Sequence, residues 1–224
     1  MLLLIDKPKG MTSHDVVDYV RGVTGERKVG HGGTLDPNAT GLLIVGVGRE
    51  STKKLGKIAK DTKKIYEAEI FLGEERDTDD VEGTVVDQGF AGQAPEAARV
   101  AEVLKGFVGE QMQVPPVYSA IKIKGRKAYD MARKGGQLKL EGRKVSVHKI
   151  KMLNYKYPVL KVLFEVSSGT YIRALARDIG RAFGTYAYLK NLRRTVIGKF
   201  KIENAIGLDE LTTGNWESFG IDKL

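Results

Sequence analysis

The sequence of 224 residues contains no cysteine, which excludes disulfide frameworks, thiolate metal sites and cysteine nucleophiles. Histidine is scarce as well. His14, His31 and His148 make up the full set of three, so a histidine-rich metal site is not expected. No segment approaches the roughly 18 apolar residues needed to span a bilayer. The opening Met1-Leu-Leu-Leu-Ile5 runs straight into Asp6 and is too short for a signal-peptide core. Internal repeats and low-complexity tracts are also missing. These absences together lead us to expect a soluble cytoplasmic protein.

What the sequence does have is an ordinary globular composition, with 42% hydrophobic and 29% charged residues. Its length suits one large domain or two small ones and is ample for a sizeable core. Thirty-seven Lys and Arg against 28 Asp and Glu give a formal charge of +9. With a sequence pI near 9.5, that surplus points to a polyanionic partner, nucleic acid ahead of a membrane surface. Solvated lysines alone would give the same charge.

Local patterns predict mixed elements. Leu2 to Ile5 reads as a short buried strand ended by the Lys7-Pro8-Lys9-Gly10 turn. Ser13 is the expected N-cap of a helix carrying Val16, Val17, Val20 and Val23 and stopping at Gly25. Residues 28–41 read as a Gly-rich loop feeding the buried strand Leu42-Leu-Ile-Val-Gly-Val47. Ile65 to Leu72 alternates, with Tyr66, Ala68, Ile70 and Leu72 on one face and Glu67 and Glu69 on the other. A helix is expected from Pro95, in its first turn, to about Gly106. Residues 111–142, with Pro115-Pro116 and many lysines, read as an inserted mobile element. Strands are expected near 143–153 and 159–168, then a helix near 170–183. In that helix Arg173, Arg177 and Arg181 recur at i, i+4 and i+8, along one outward face. The fold class these patterns predict is α+β.

The segment richest in chemistry is Gly30-His-Gly-Gly-Thr-Leu-Asp-Pro-Asn-Ala-Thr-Gly41. Its glycines let the backbone approach a ligand or adopt positive φ. Asp36 precedes Pro37, which biases it to an extended conformation with its carboxylate projecting from the loop. On composition alone an ordinary turn whose Asp caps a helix is the favoured reading.

This segment resembles the catalytic motif of the TruB family of RNA pseudouridine synthases, G-H-x-G-T-L-D-P-x-A-T-G. The resemblance runs in order along nearly the whole chain, beginning with Leu4-Ile-Asp-Lys-Pro-Lys-Gly-Met-Thr-Ser-His14. It continues through Lys64-Ile-Tyr66 with Asp77-Thr-Asp-Asp80, then Gln113-Val-Pro-Pro-Val-Tyr-Ser-Ala-Ile-Lys122. Gly169-Thr-Tyr-Ile-Arg-Ala-Leu-Ala-Arg-Asp178 and Leu192-Arg-Arg-Thr195 close the set. The pattern is similar to the bacterial tRNA-modifying branch.

The resemblance implies a pseudouridine synthase fold, with a central mixed, mostly antiparallel sheet flanked by helices and an inserted RNA-binding loop. It implies isomerisation of uridine in the T-loop of tRNA, reached by flipping the base out of its stack. The reaction needs no cofactor and no metal. Asp36 is then the catalytic carboxylate, which must be ionised; a nearby cation favours that form. Arg173 is the arginine that pairs with it, and Tyr66 stacks on the target base. His31, Lys64 and Tyr171 belong to the substrate-binding set. Lys122, Lys124, Arg126, Lys127, Arg193 and Arg194 are candidates for phosphate contacts.

Each residue also has a plainer reading: core for Tyr66, surface for His31, a solvated helix face for the arginines, and a solvated loop for the lysines. The expected partner is the tRNA T-arm, with no membrane, and the expected state is a monomer. The catalytic domain is expected over 1–211, followed by a short tail at 212–224, too little for the PUA domain that members of this family usually carry. An RNA-binding or tRNA-folding module with secondary or no catalysis, or the same chemistry on another RNA, is the alternative.

Three departures from the family pattern stand out. Gly32 and Arg76 occupy positions where threonine is usual, and Ser167-Ser168-Gly169 replaces Ser-Lys-Gly. Gly32 is expected to loosen the loop carrying His31.

Overall fold

The apolar opening forms strand β1 (Leu2–Lys7), which pairs antiparallel with β3 (Thr40–Val47) in the register Leu2↔Gly46 to Lys7↔Gly41. Both strands read as continuous apolar runs because both of their faces are covered. Alternation sorts the side chains between two cores. Leu3, Ile5, Leu43 and Val45 meet Val16, Val17 and Val20 of helix α1 (Ser13–Thr24). Leu2, Leu4, Leu42 and Ile44 meet Leu55 and Ile58 of helix α2 (Arg49–Lys60).

The computed structural model describes residues 1–60, 62–87, 94–119, 122–123, 126–127 and 140–221. The chain divides into two units, Met1–Glu67 with Leu192–Leu224, and Ala68–Asn191. Strands β4 (Lys64–Leu72) and β12 (Ala187–Ile197) each run from one unit into the other.

In the first unit the strand order is β1-β3-β12-β4. β2 (Val29–Gly32) adds to β3, and β13 (Phe200–Lys201) to β12. The β3–β12 pair is parallel, Arg193 opposite Thr40 and Arg194 opposite Gly41, whereas β2 and β13 pair antiparallel. Residues 206–221 cover the free edge of β1: Ile206 bonds to Leu4 and Asp6, Ile221 exchanges both bonds with Leu2, and Trp216 and Phe219 pack on the α1 core.

In the second unit the order is β12-β4-β11-β10-β7. β10 (Arg143–Lys156) and β11 (Val159–Val166) form a long antiparallel hairpin, and β7 (Gly109–Gln113) pairs antiparallel with β10. Helices α3 (Ala97–Gly106) and α4 (Ile172–Phe183) pack on each other, and α3 also packs on β10. Two small antiparallel hairpins, β5 (Glu75–Arg76) with β6 (Val85–Asp87) and β8 (Lys122–Ile123) with β9 (Arg126–Lys127), complete it. Helices and mostly antiparallel strands make the protein α+β, as the sequence predicts. Among the described residues no helix is long and apolar enough to cross a membrane.

Several expectations need correction. Thr12, not Ser13, caps α1: its hydroxyl accepts from the Asp15 amide while Asp15 accepts from the Thr12 amide, a reciprocal capping box. Val29 to Gly32 is strand rather than loop, so Gly32 is held opposite Ile44 and does not loosen His31. Pro95 lies just before helix α3, outside its first turn, with Glu96 at the N-cap. The segment expected as an insertion from 111 first completes β7 through Gln113; residues 120–121, 124–125 and 128–139 of it lie outside the described residues. Arg173 and Arg177 do not point to solvent, at 7% and 8% exposure. Only Arg181 of the three matches the outward face expected of them.

Gly41 fixes how closely β3 and β12 approach. Its φ is +100°, and a Cβ there would lie 2.3 Å from the Arg194 carbonyl oxygen. Gly41→Ala is expected to lower the unfolding free energy by about 3 kcal/mol, from backbone strain plus overpacking. Urea unfolding checks this, and an unchanged midpoint and slope would refute it.

Candidate active site

The loop between β2 and β3, residues 33–39, carries Asp36 and has little regular backbone pairing of its own. Within it the Ala39 amide bonds to the Asp36 carbonyl, and the Gly10 amide bonds to that of Pro37. Carbonyls turned inward need donors, because a buried unpaired carbonyl costs about as much as a lost hydrogen bond. Three buried side chains add donors to the loop and its flanks.

Lys7 ends β1 with no exposed surface, and its Nζ donates to the carbonyls of Pro8 (2.9 Å), Met11 (2.6 Å) and Pro37 (3.2 Å). Ser13 both donates to the Leu35 carbonyl (3.0 Å) and accepts from the Leu35 amide (2.9 Å). Arg194 is 1% exposed; its Nε donates to the Leu42 carbonyl (2.8 Å) and its Nη2 to that of Gly33 (2.9 Å), with Nη1 3.5 Å from that of Thr34. The loop is therefore held on both sides of Asp36.

These cations are costly to bury. Burial pushes Lys7 down from 10.5 to about 8, opposed by the attraction of Asp36 and reinforced by repulsion from Arg194. Lys64 also falls from 10.5 to about 8, through burial and the same arginine. It remains bound to the carbonyls of Ala59 (2.8 Å) and Thr62 (3.2 Å), where it ends α2. His31, on β2, is held below its ordinary 6.5 by burial, then by His14 and Arg194. It is thus a neutral ring at pH 7, and its buried Nδ1 has no hydrogen-bond partner among the described residues. Tyr66 lies on β4 between Lys64 and Ala68 on the covered face, 7% exposed. Arg193 faces the other way from Arg194, as strand alternation requires. Its guanidinium makes a two-point contact with the Asp6 carboxylate, at 3.0 and 2.7 Å.

In the second unit, Arg173 donates to the carbonyls of Thr78 (3.1 Å) and Tyr118 (3.0 Å) and pairs with Asp80 at 3.3 Å. One turn on, Arg177 bonds Asp79 (2.9 Å), Asp178 (2.9 Å) and the Val114 carbonyl (2.8 Å). Burial raises Asp79 to about 6 against the pull of Arg177, Arg173 and Arg181. Tyr171 caps the start of α4, its amide and carbonyl both bonded to the buried Gln113 side chain at 2.8 and 3.1 Å.

Of the residues expected in the site, Asp36, His31, Lys64, Tyr66, Arg193 and Arg194 lie in the first unit, and Arg173 and Tyr171 in the second. Arg194 is not a surface contact for phosphate: it is internal and serves the Asp36 loop. Lys122, Arg126 and Lys127 fall in the β8–β9 hairpin with side chains outside the described residues, as is Lys124 altogether. Lys7 and Ser13 were missed. The alternation of strand faces did carry a signal for Arg194, since adjacent arginines on a strand cannot both face outward. Lys7, a charge closing an apolar buried strand, carried a similar one. Among the described residues no cluster of three or more His, Asp or Glu could hold a metal ion.

An α+β fold with a rigid loop presenting one carboxylate defines the architecture, and comparison with known proteins supplies its family. The family model described as TruB family pseudouridylate synthase, N-terminal domain, matches residues 21–172. That of the tRNA pseudouridylate synthase B C-terminal domain matches 173–222. Curated relatives include tRNA pseudouridine synthase B of Thermobifida fusca, 44% identical over 94% of this chain and 73% of its own length. That of Nocardia farcinica is 48% identical over 94% of this chain and 69% of its own. A solved Cbf5-Nop10-Gar1 complex contains a chain that superposes with a TM-score of 0.74 at 31% identity, over 99% of this chain. This chain spans 56% of that one. The chain belongs to the TruB family of pseudouridine synthases.

The lysines give a testable pH signature. The unfolded chain holds them near 10.5 and the folded protein near 8, so the unfolded chain binds more protons in between. Stability therefore rises from pH 8 toward 10.5 as their burial penalty disappears. Lys7→Met is expected to lose part of that rise and about 2 kcal/mol at neutral pH, where three carbonyls lose a donor. Denaturant unfolding at pH 7.5 and 10 checks both, and an identical rise in the variant would refute the assignment.

Proposed function

We propose that this protein isomerises uridine to pseudouridine in the T-arm of tRNA, with Asp36 as the catalytic carboxylate. The observation that carries the proposal is the Asp36 loop itself. It is anchored by Lys7, Ser13 and Arg194 on both sides of one carboxylate, in a chain of this family whose curated relatives are named for the tRNA reaction. Orientation fixed in advance lowers the cost of reaching the reactive geometry.

In the reaction the C1′–N1 bond of uridine breaks, the detached uracil turns over, and a C1′–C5 bond forms. The C5 proton leaves and N1 gains one, so the product is an isomer and no electrons are exchanged. Asp36 acts ionised at the ribose. Tyr66, on a covered strand face, is suited to stack on the base, and neutral His31 offers a nucleotide drawn out of its stack an uncharged ring whose Nδ1 has no partner among the described residues. Arg173 is the cation that serves the carboxylate chemistry. Lys64, Tyr171, Arg193 and the cations of residues 122–127 support the RNA, Lys64 through the backbone it fixes and Arg193 from its partly exposed position. The protein works in the cytoplasm, where its tRNA substrate is found.

The test is tritium release from a T-arm hairpin labelled at uridine C5. The native protein is expected to release the label, and Asp36→Asn to abolish release while still binding the hairpin. Full release by Asp36→Asn would refute its role; tight, salt-dependent binding without release by the native protein would favour an RNA-folding module instead.

A further inference from the structure

Arg76 is one of the positions where this sequence departs from the TruB pattern, and the structure gives it four partners. Its Nε meets Glu74 at 2.5 Å, and its Nη1 donates to the carbonyls of Val81 (2.9 Å) and Gly83 (3.2 Å). Its guanidinium lies 4.4 Å from the centre of the Tyr188 ring, which in turn stacks on Phe71 at 5.2 Å. Arg76 thus ties the tip of the β5–β6 turn to β12 through a cation–π contact. The backbone ties the same two elements one residue further on, where the Leu189 amide bonds to the Asp79 carbonyl at 2.9 Å.

What the turn holds explains why its position matters. Between Arg76 and Gly83 lie Thr78, Asp79 and Asp80, the partners of Arg173 and Arg177. Asp79 sits at φ +61°, a conformation costly for a non-glycine residue and kept only where the surroundings over-determine it. Asp80 is itself oriented, its Oδ1 accepting from Thr78 Oγ1 (2.6 Å) and from the Glu82 amide (3.0 Å). The turn is closed by Asp77, which accepts from the Thr84 amide (2.8 Å) and hydroxyl (3.1 Å). Arg76 is the only one of these groups that joins the far side of the turn, Val81 and Gly83, to an aromatic ring on another strand.

We propose that Arg76 is a positioning residue that holds the β5–β6 turn so that Asp80 and the Thr78 carbonyl orient the Arg173 guanidinium. The proposal rests on the isomerase reading given above. A lysine could not replace it, because one ammonium cannot lie over the ring as a plane and bridge two carbonyls and a carboxylate together.

The test combines single-turnover isomerisation of a saturating T-arm hairpin with hairpin binding across a salt series. Arg76→Met is expected to slow the single-turnover rate roughly 10- to 100-fold with Kd and its salt slope unchanged, and Arg76→Lys to recover little of the rate. In an Asp80→Asn background Arg76→Met is expected to add almost nothing, because both changes act through Arg173. A normal rate, a change confined to Kd and salt slope, or fully additive losses would each overturn the proposal. Should Arg76→Met fold poorly, Glu74→Gln loosens the same guanidinium more gently and must show a smaller loss of the same kind. Amide hydrogen exchange at Leu189 is expected to quicken in Arg76→Met, and unchanged protection would overturn the clamp whatever the activity. If the native protein releases no tritium while Arg76→Met still quickens exchange at Leu189, the isomerase reading and the catalytic half of the proposal are refuted and the clamp stays in place.

Discussion

Irregular backbone that must be held in place without a ladder of its own sets the terms for this structure. Strands and helices satisfy their own carbonyls, but the half-buried loop that presents Asp36, with Leu35 and Ala39 turned inward, has little ladder of its own. Lys7, Ser13 and Arg194 stand in for the missing ladder. Each joins the loop to a different element, β1, α1 and β12, so shifting the loop would mean breaking bonds to three elements together. With strand pairing holding Gly30, Gly32 and Gly41, that is how a run containing four glycines, which would be floppy as a free peptide, becomes a fixed platform.

The second unit solves the same problem with the same chemistry. Arg173 and Arg177 lie one helical turn apart on α4 and donate to carbonyls of Thr78, Tyr118 and Val114, segments with no strand partner at those points. Arginine suits this work because its five donors fan out in a plane and its charge survives burial. Asp79 and Asp80 balance the two guanidinium groups, and the raised pKa of Asp79 shows how much burial opposes even a paired carboxylate.

The regular elements were legible because period carries their burial: Tyr66, Ala68, Ile70 and Leu72 fell on the covered face of β4 as alternation required. The family motifs likewise marked the Asp36 loop. What periodicity could not convey was which polar residues turn inward. Arg173 and Arg177 lie at outward helical spacing relative to Leu175 and Ile179, yet both are buried, because the 77–84 turn and the 113–118 segment cover that side of α4. Thr12 displaced Ser13 as cap because Ser13 is committed to Leu35, a contact 22 residues away that no local pattern reveals. β2 was hidden by its glycines, which lack strand propensity but accept pairing with β3.

These buried cations change what the net charge means. Lys7, Lys64, Arg173, Arg177 and Arg194 are all buried, while Asp79 and Asp80 are the carboxylates buried with them among the described residues. Part of the +9 is therefore internal and offers no phosphate contact. A surface cation attracts RNA by displacing counterions, an effect that salt suppresses. An enclosed one is shielded from salt and acts instead on the groups beside it. Positive charge in this chain thus divides between the surface, where it is open to a polyanion, and the interior, where it fixes irregular loops. Counting basic residues overstates the first because the second is invisible in composition.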